Sequence, residues 1–264
     1  MMPAVHECAK GFRLAVLTWE ELAVVLLALA IGGLVKGLTG VGLPLISVPV
    51  LAAFFSVEHA VLVMIIPSLT LNAYQVWTHR NDAVSVPELP RLLIAGVPGA
   101  VFGATVLHLA SERFLATGLA VWLAAYVVLR LLHPGLSLAH ETRRLVSPAV
   151  GATAGALQAA TGISAPIVAA YFDALGLAPS AYVFAVCASF GAFAAAHLTI
   201  VVVSRLYTPE ILLQSLIALI PAIALTPVGV RLRRFVSKRH FDLLIRTTLL
   251  VMALRLVYAA WFLN

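Results

Sequence analysis

The stretch "GLVKGLTGVGLPLISVP", Gly33 to Pro49, holds four glycines, two prolines, one threonine and one lysine inside one of the most apolar parts of the chain. A segment rich in leucine and valine ought to be a plain helix. This one carries helix breakers and a positive charge at its centre, and that conflict decides how the rest is read.

The surroundings fix the solvent. Of 264 residues 62% are hydrophobic and 11% charged, with a mean hydropathy of +1.05. An ordinary soluble domain has about 25% charged residues, and a soluble core cannot absorb so much apolar surface. The composition predicts an all-α polytopic membrane protein with the lipid bilayer as its main contact. The net charge of +6 is spread over the connections between apolar segments, a pattern of membrane orientation and not of nucleic-acid binding. Cys8 and Cys187 lie in different settings and predict neither a disulfide nor a metal site, and no cofactor motif is present. The first 21 residues lack an uninterrupted apolar core with a cleavage site and read as a short arm.

Apolar segments fall at 22–55, 58–79, 89–110, 113–132, 145–177, 179–204, 210–230 and 241–262, joined by short connections into one domain over 1–264. Six have single-crossing length. The segments at 22–55 and 145–177 are too long, and each is interrupted, by "KGLTGVGLP" and "QAATGISAP". The interruptions align. Gly33, Thr39, Gly40 and Pro44 match Gly155, Thr161, Gly162 and Pro166 at a constant offset of 122. Ser68 falls near Ser189, and Pro98 near Pro221, in the following pairs. The chain is therefore read as two repeats, about 20–133 and 143–264. Paired, broken apolar segments point to a transporter's binding site.

Basic residues cluster at Arg80 and Arg91, at Arg130, Arg143 and Arg144, and at Arg231, Arg233, Arg234, Lys238 and Arg239. If each broken segment is a re-entrant hairpin of two half-helices, about 14–16 residues each and too short to cross, all three clusters share one side. That side is cytoplasmic, and both termini are periplasmic. One hairpin plus three crossings makes each repeat odd, so the second is inverted and the two Thr-Gly tips meet near the midplane. Eight simple crossings are the alternative.

Broken backbone at membrane depth survives only against protein or a water-filled cavity. Gly37, Gly40 and Gly42 permit a tight turn with positive φ. Pro44 suits the first turn of a restarting helix, whose free N–H groups favour an anion. Lys36 adds a charge, and Thr39 and Thr161 offer hydroxyls. With Gln158, Gly162 and Ser164 from the second break, these residues form the predicted substrate site. The alternative is that the glycines only pack helices and Lys36 snorkels. Ser68, Asn72, Gln75 and His79 share one helix face, lining a cavity or joining helices; the first three are added to the site. His197 reads as a hydrogen-bonded structural residue more than a proton relay. Asp173 reads as interfacial, and Arg246 and Arg255 as snorkelling.

At "GGLVKGLTGVGLPLISVPVL" and its weaker echo "GATAGALQAATGISAPIV" the chain resembles the TauE/SafE family of sulfite and organosulfonate exporters, across nearly its whole length. Many members have a Gly-Gly-Gly run where this chain has Gly42-Leu43-Pro44. The resemblance implies a secondary carrier, and no enzyme, that moves sulfite, a sulfonate or a sulfoacetate-like anion across the bacterial inner membrane. An anion channel, or a carrier of a non-sulfur organic anion, fits the same pattern. A homodimer is compatible with it. The scattered His and acidic residues argue against a membrane enzyme.

Overall fold

A computed structural model describes residues 18–40, 42–132, 140–232, 235, 238–258 and 261–262. The N-terminal arm with Cys8, Lys10 and Arg13 lies outside the described residues, as do Arg233 and Arg234. The side chains of Arg130, Lys238, Arg239 and Arg246 are likewise outside them.

The described chain is helical, without a strand. The first half of the chain comprises α1 (Trp19–Thr39), α2 (Leu43–Ala52), α3 (Val57–Thr78), α4 (Leu89–Leu109) and α5 (Glu112–Leu132). The second comprises α6 (His140–Thr161), α7 (Ala165–Ala174), α8 (Pro179–Val203), α9 (Pro209–Leu232) and α10 (Lys238–Tyr258). Five of these, α1, α3, α4, α8 and α9, are long and apolar enough to cross a bilayer. The protein is thus a multi-pass helical membrane protein, as its composition requires.

The broken segments differ from the expected pair of equal half-helices. Their first arms are 21 and 22 residues and their second arms 10 each. At 1.5 Å per residue α1 is about 31 Å long, enough to span a hydrocarbon core of about 30 Å alone. Hydropathy missed the length because α1 and α6 both start before their apolar runs. Thr18 closes a capping box with Glu21, its hydroxyl accepting from the Glu21 N–H at 3.2 Å. The opening of α6, His140 to Arg144, is charged. Each short arm folds back on its long one. Ser47 donates to the Ala28 carbonyl at 2.9 Å in the first pair, and Tyr171 to the Arg143 carbonyl at 3.1 Å in the second.

Small residues set the packing. A Cβ on Gly37 would collide with the Thr226 carbonyl, and one on Gly33 would lie 2.7 Å from the Ala222 carbonyl, so α1 lies backbone to backbone along α9. The same closeness joins α4 to α6, where Gly99 faces Ala152, Gly103 faces Ala156 and Gly155 faces Gly96. Without water to drive helices together, close van der Waals contact does that job in lipid. For Gly37 the packing alternative therefore holds: it is helical and close-packed, and makes no turn.

The registers also set directions. Lys36 meets Asn72 near the ends of α1 and α3, and Glu21 lies near His59 at their starts, so these helices are parallel. The helix α9 is parallel to α1, and Glu112 at the start of α5 accepts from the Val57 N–H at the start of α3 at 2.8 Å. Asp82, just after α3, accepts from Ser180 at the start of α8 at 3.1 Å, so α3 and α8 are antiparallel. Both α4 and α6 follow α8, with Ala100, Ala104 and Ala159 clustered against Ala196 and Ile200. The connections after α3, α5 and α9 consequently share one end of the molecule.

Candidate functional site

Both breaks use the same backbone device. Gly40 has φ +86° and Gly162 φ +71°, the left-handed conformation that glycine adopts without strain. Each donates its N–H four residues back, Gly40 to the Lys36 carbonyl at 2.7 Å and Gly162 to the Gln158 carbonyl at 2.9 Å. Pro44 and Pro166 stand in the first turns of α2 and α7, and neither of those helices has a side-chain cap. Gly42, expected to help the turn, has φ −89°; a Cβ there would press on Val35 and Thr39, so it serves the fold-back.

The side chains differ. Lys36 is 2% exposed, and its Nζ donates to Asn72 Oδ1 at 2.7 Å. Asn72 Nδ2 donates in turn to Ser68 Oγ at 3.2 Å. Among the described residues no carboxylate comes within ion-pair distance of Lys36. A buried lysine without a counter-ion is costly, which makes this position a candidate functional one. Gln158, at the matching place, turns inward: its Nε2 donates to the Gly162 carbonyl at 3.1 Å, and its Oε1 accepts from Ser164 Oγ at 2.6 Å. The threonine hydroxyls also turn back on their helices, Thr39 donating to the Val35 carbonyl at 2.9 Å and Thr161 to the Leu157 carbonyl at 2.7 Å. They are not aimed outward as anion donors.

The two tips do not meet. Gly40 sits nearest Val183 in the first turns of α8, and Gly162 packs on Val48 and on Val61 in the first turns of α3. Because α3 and α8 are antiparallel, Gly40 lies toward the end of α3 and Gly162 toward its start, while Pro44, just after the first break, shares a cavity with Gln158 and Gly162 of the second. The expected shared site between Thr39 and Thr161 is corrected accordingly. The first arm α1 is long and apolar enough to cross alone, so the first break comes at the end of a crossing-length helix and not halfway through it.

A small cavity lies beside the second break. Its walls are Pro44, Val61, Met64, Ile65, Ser68, Gln158, Gly162, Ala194 and His197, and its volume is about 10 Å³, room for about one water. Of the predicted residues, Ser68, Gln158 and Gly162 line it, while Lys36 and Asn72 join it through Ser68. Gly37, Thr39, Gly40, Gly42, Thr161 and Ser164 are not among its walls. Gln75 is half-buried outside this chain of contacts, and His79 turns to Asp82 at 4.0 Å. Asp173 is exposed, and Arg255 lies over the Phe54 ring at 4.2 Å.

His197, expected to be a hydrogen-bonded structural residue, is 2% exposed and lines the cavity, and among the described residues its Nε2 has no hydrogen-bond partner. One signal existed in the sequence: at the repeat offset of 122 it falls on Gln75, pairing two polar residues within apolar helices.

The described helices thus bring a buried lysine, without a carboxylate partner among the described residues, beside a small cavity that both broken segments line. The chain matches the Sulfite exporter TauE/SafE family over residues 24–256 and belongs to that family, a family of membrane transporters. No curated protein and no solved structure gives a significant match.

Proposed function

We propose that the protein is a secondary carrier exporting a small sulfur-containing anion, sulfite or a sulfonate, across the inner membrane. One observation carries this reading beyond the family: Lys36, buried without a carboxylate, reaches the cavity through Asn72 and Ser68. A permeant anion supplies the missing counter-charge. Its exit from a negative interior gains about 2.3 kcal/mol per charge per 100 mV, so no phosphate-binding loop is needed.

The cavity holds only about 10 Å³, which suits alternating access more than an open pore. Antiparallel α1 and α6 support reading the repeats as inverted copies, with access exchanged between them. We read the end that carries the three basic connections as cytoplasmic by the positive-inside rule, an orientation in which both termini would be periplasmic.

The test is purified protein screened for thermal stabilisation by sulfite, sulfate, thiosulfate, taurine, sulfoacetate and carboxylate analogues, followed by counterflow in proteoliposomes. Stabilisation by sulfur anions with saturable counterflow supports the carrier. Stabilisation by carboxylates alone would move the substrate to organic anions, and unsaturable flux would make it a channel. Labelling of an engineered cysteine at Asn264 from the cytoplasmic side only would overturn the orientation.

A further inference from the structure

The predicted residues around the cavity are already committed to each other. Gln158 bonds within its own turn, Ser68 accepts from Asn72, and Asn72 accepts from Lys36. The rest of the lining is apolar apart from His197, whose Nε2 is buried and unpartnered. An orphaned polar atom in a low-dielectric interior costs free energy that a missing partner would recover. His197 stands on α8 and Ser68 on α3, so both halves of the chain supply walls of the cavity.

We infer that His197 is a direct anion-binding residue of the transport site, presenting an Nε2–H donor to one anion oxygen while Lys36 acts from behind through Asn72 and Ser68. This rests on the carrier reading above and deepens it. At about 10 Å³ the cavity is a contracted form of that site, too small for any sulfur oxyanion, so loading must part α3 from α8. The class of ligand follows from the walls. A compact anion with an exposed oxygen can accept from His197 and meet the polarised Ser68 hydroxyl. A bulky sulfonate tail finds only Val61, Met64, Ile65 and Ala194.

Sulfite uptake into proteoliposomes, with KM and Vmax separated, tests this. His197→Leu is expected to raise KM for sulfite by about tenfold or more, the loss of one hydrogen bond to a charged group. His197→Gln keeps an N–H donor and should stay within about threefold of wild type. A merely packing role would change the melting temperature without anion and leave KM alone. Wild-type KM in a folded His197→Leu protein overturns the inference and leaves the carrier reading standing. Failure of the wild-type protein to bind or move sulfite overturns both. The wild-type protein with selenite gives a reading that needs no variant: density about 3 Å from Nε2 supports the contact, and density away from His197 overturns it.

Discussion

The two breaks share a backbone and differ in what one side chain does with it. Both end a long helix on a left-handed glycine and restart with a proline in the first turn. At the matching positions Lys36 reaches out to a second helix, whereas Gln158 spends both ends of its amide on its own turn. The two breaks share the device for folding the chain back but not the charge. One break is a scaffold, and the other is a scaffold that also carries a cation.

The largest expected effect breaks or keeps that distinction. Lys36→Gln should lose most transport, since removing one member of a buried, hydrogen-bonded charge contact costs about 2–5 kcal/mol, more than tenfold in apparent affinity. The folded protein should remain monodisperse, because a neutral amide already serves at 158. The exchange Lys36→Gln with Gln158→Lys should not restore transport, because a lysine at 158 has no counterpart of Asn72 to meet. Restoration of sulfite counterflow by the exchanged pair would show the breaks to be interchangeable.

Next come the glycines. Valine at 40 or 162 forces a β-branched residue into positive φ, a strain of about 1–3 kcal/mol. At 162 the new Cβ also lies 2.9 Å from Val48 Cγ2, while at 40 the nearest side-chain atom is 3.9 Å away. Gly162→Val should therefore lower the melting temperature in detergent more than Gly40→Val, and lose transport more completely. Equal shifts would mean that strain alone sets the cost at both tips.

The duplication, the breaks and the buried lysine were legible because each leaves a local mark: a repeated Thr-Gly-x-x-x-Pro, a glycine, a charge in an apolar run. The level of the tips was not. Hydropathy starts α1 at the apolar run, whereas the Thr18 capping box starts it earlier, and a few residues convert half a crossing into a whole one. Nor could spacing show that Thr39 and Thr161 bond to their own helices, since a hydroxyl's choice between the i−4 carbonyl and a ligand depends on what surrounds it. His197 was hidden for a related reason. An imidazole in an apolar helix is read by its partner, and the absence of one is visible only in three dimensions.

Gln158→Leu sharpens the scaffold half of the comparison. It strips the Gly162 carbonyl and the Ser164 hydroxyl of a buried partner, a loss of about 1–3 kcal/mol. Stability should fall and sulfite KM should rise with it, in contrast to Lys36→Gln, where transport falls while the fold holds. A Gln158→Leu protein of wild-type stability and impaired transport would make Gln158 a ligand and not a brace.

The smallest expected effects belong to the threonines. Thr161 donates to the Leu157 carbonyl, and its oxygen accepts from the Ile163 N–H at 3.3 Å; the Ile163 carbonyl in turn accepts from Trp122 Nε1 at 2.9 Å. Thr161→Ala therefore leaves a buried N–H without that acceptor and loosens the anchor between α5 and the second break. A net loss of about 0.5–1.5 kcal/mol is expected, and Thr161→Ser, which keeps the hydroxyl, should recover it. Thr39→Ala removes a hydroxyl that is turned to the Val35 carbonyl. If that hydroxyl stays with its helix throughout transport, KM for sulfite changes by less than about threefold in either alanine variant, well under the cost of a lost bond to a charged group. A rise of about tenfold in KM for Thr39→Ala alone, at unchanged melting temperature, would mean that the first tip turns its hydroxyl to the anion in another state of the cycle. The lysine-bearing break would then be a ligand site along its whole length, and the second break a scaffold alone.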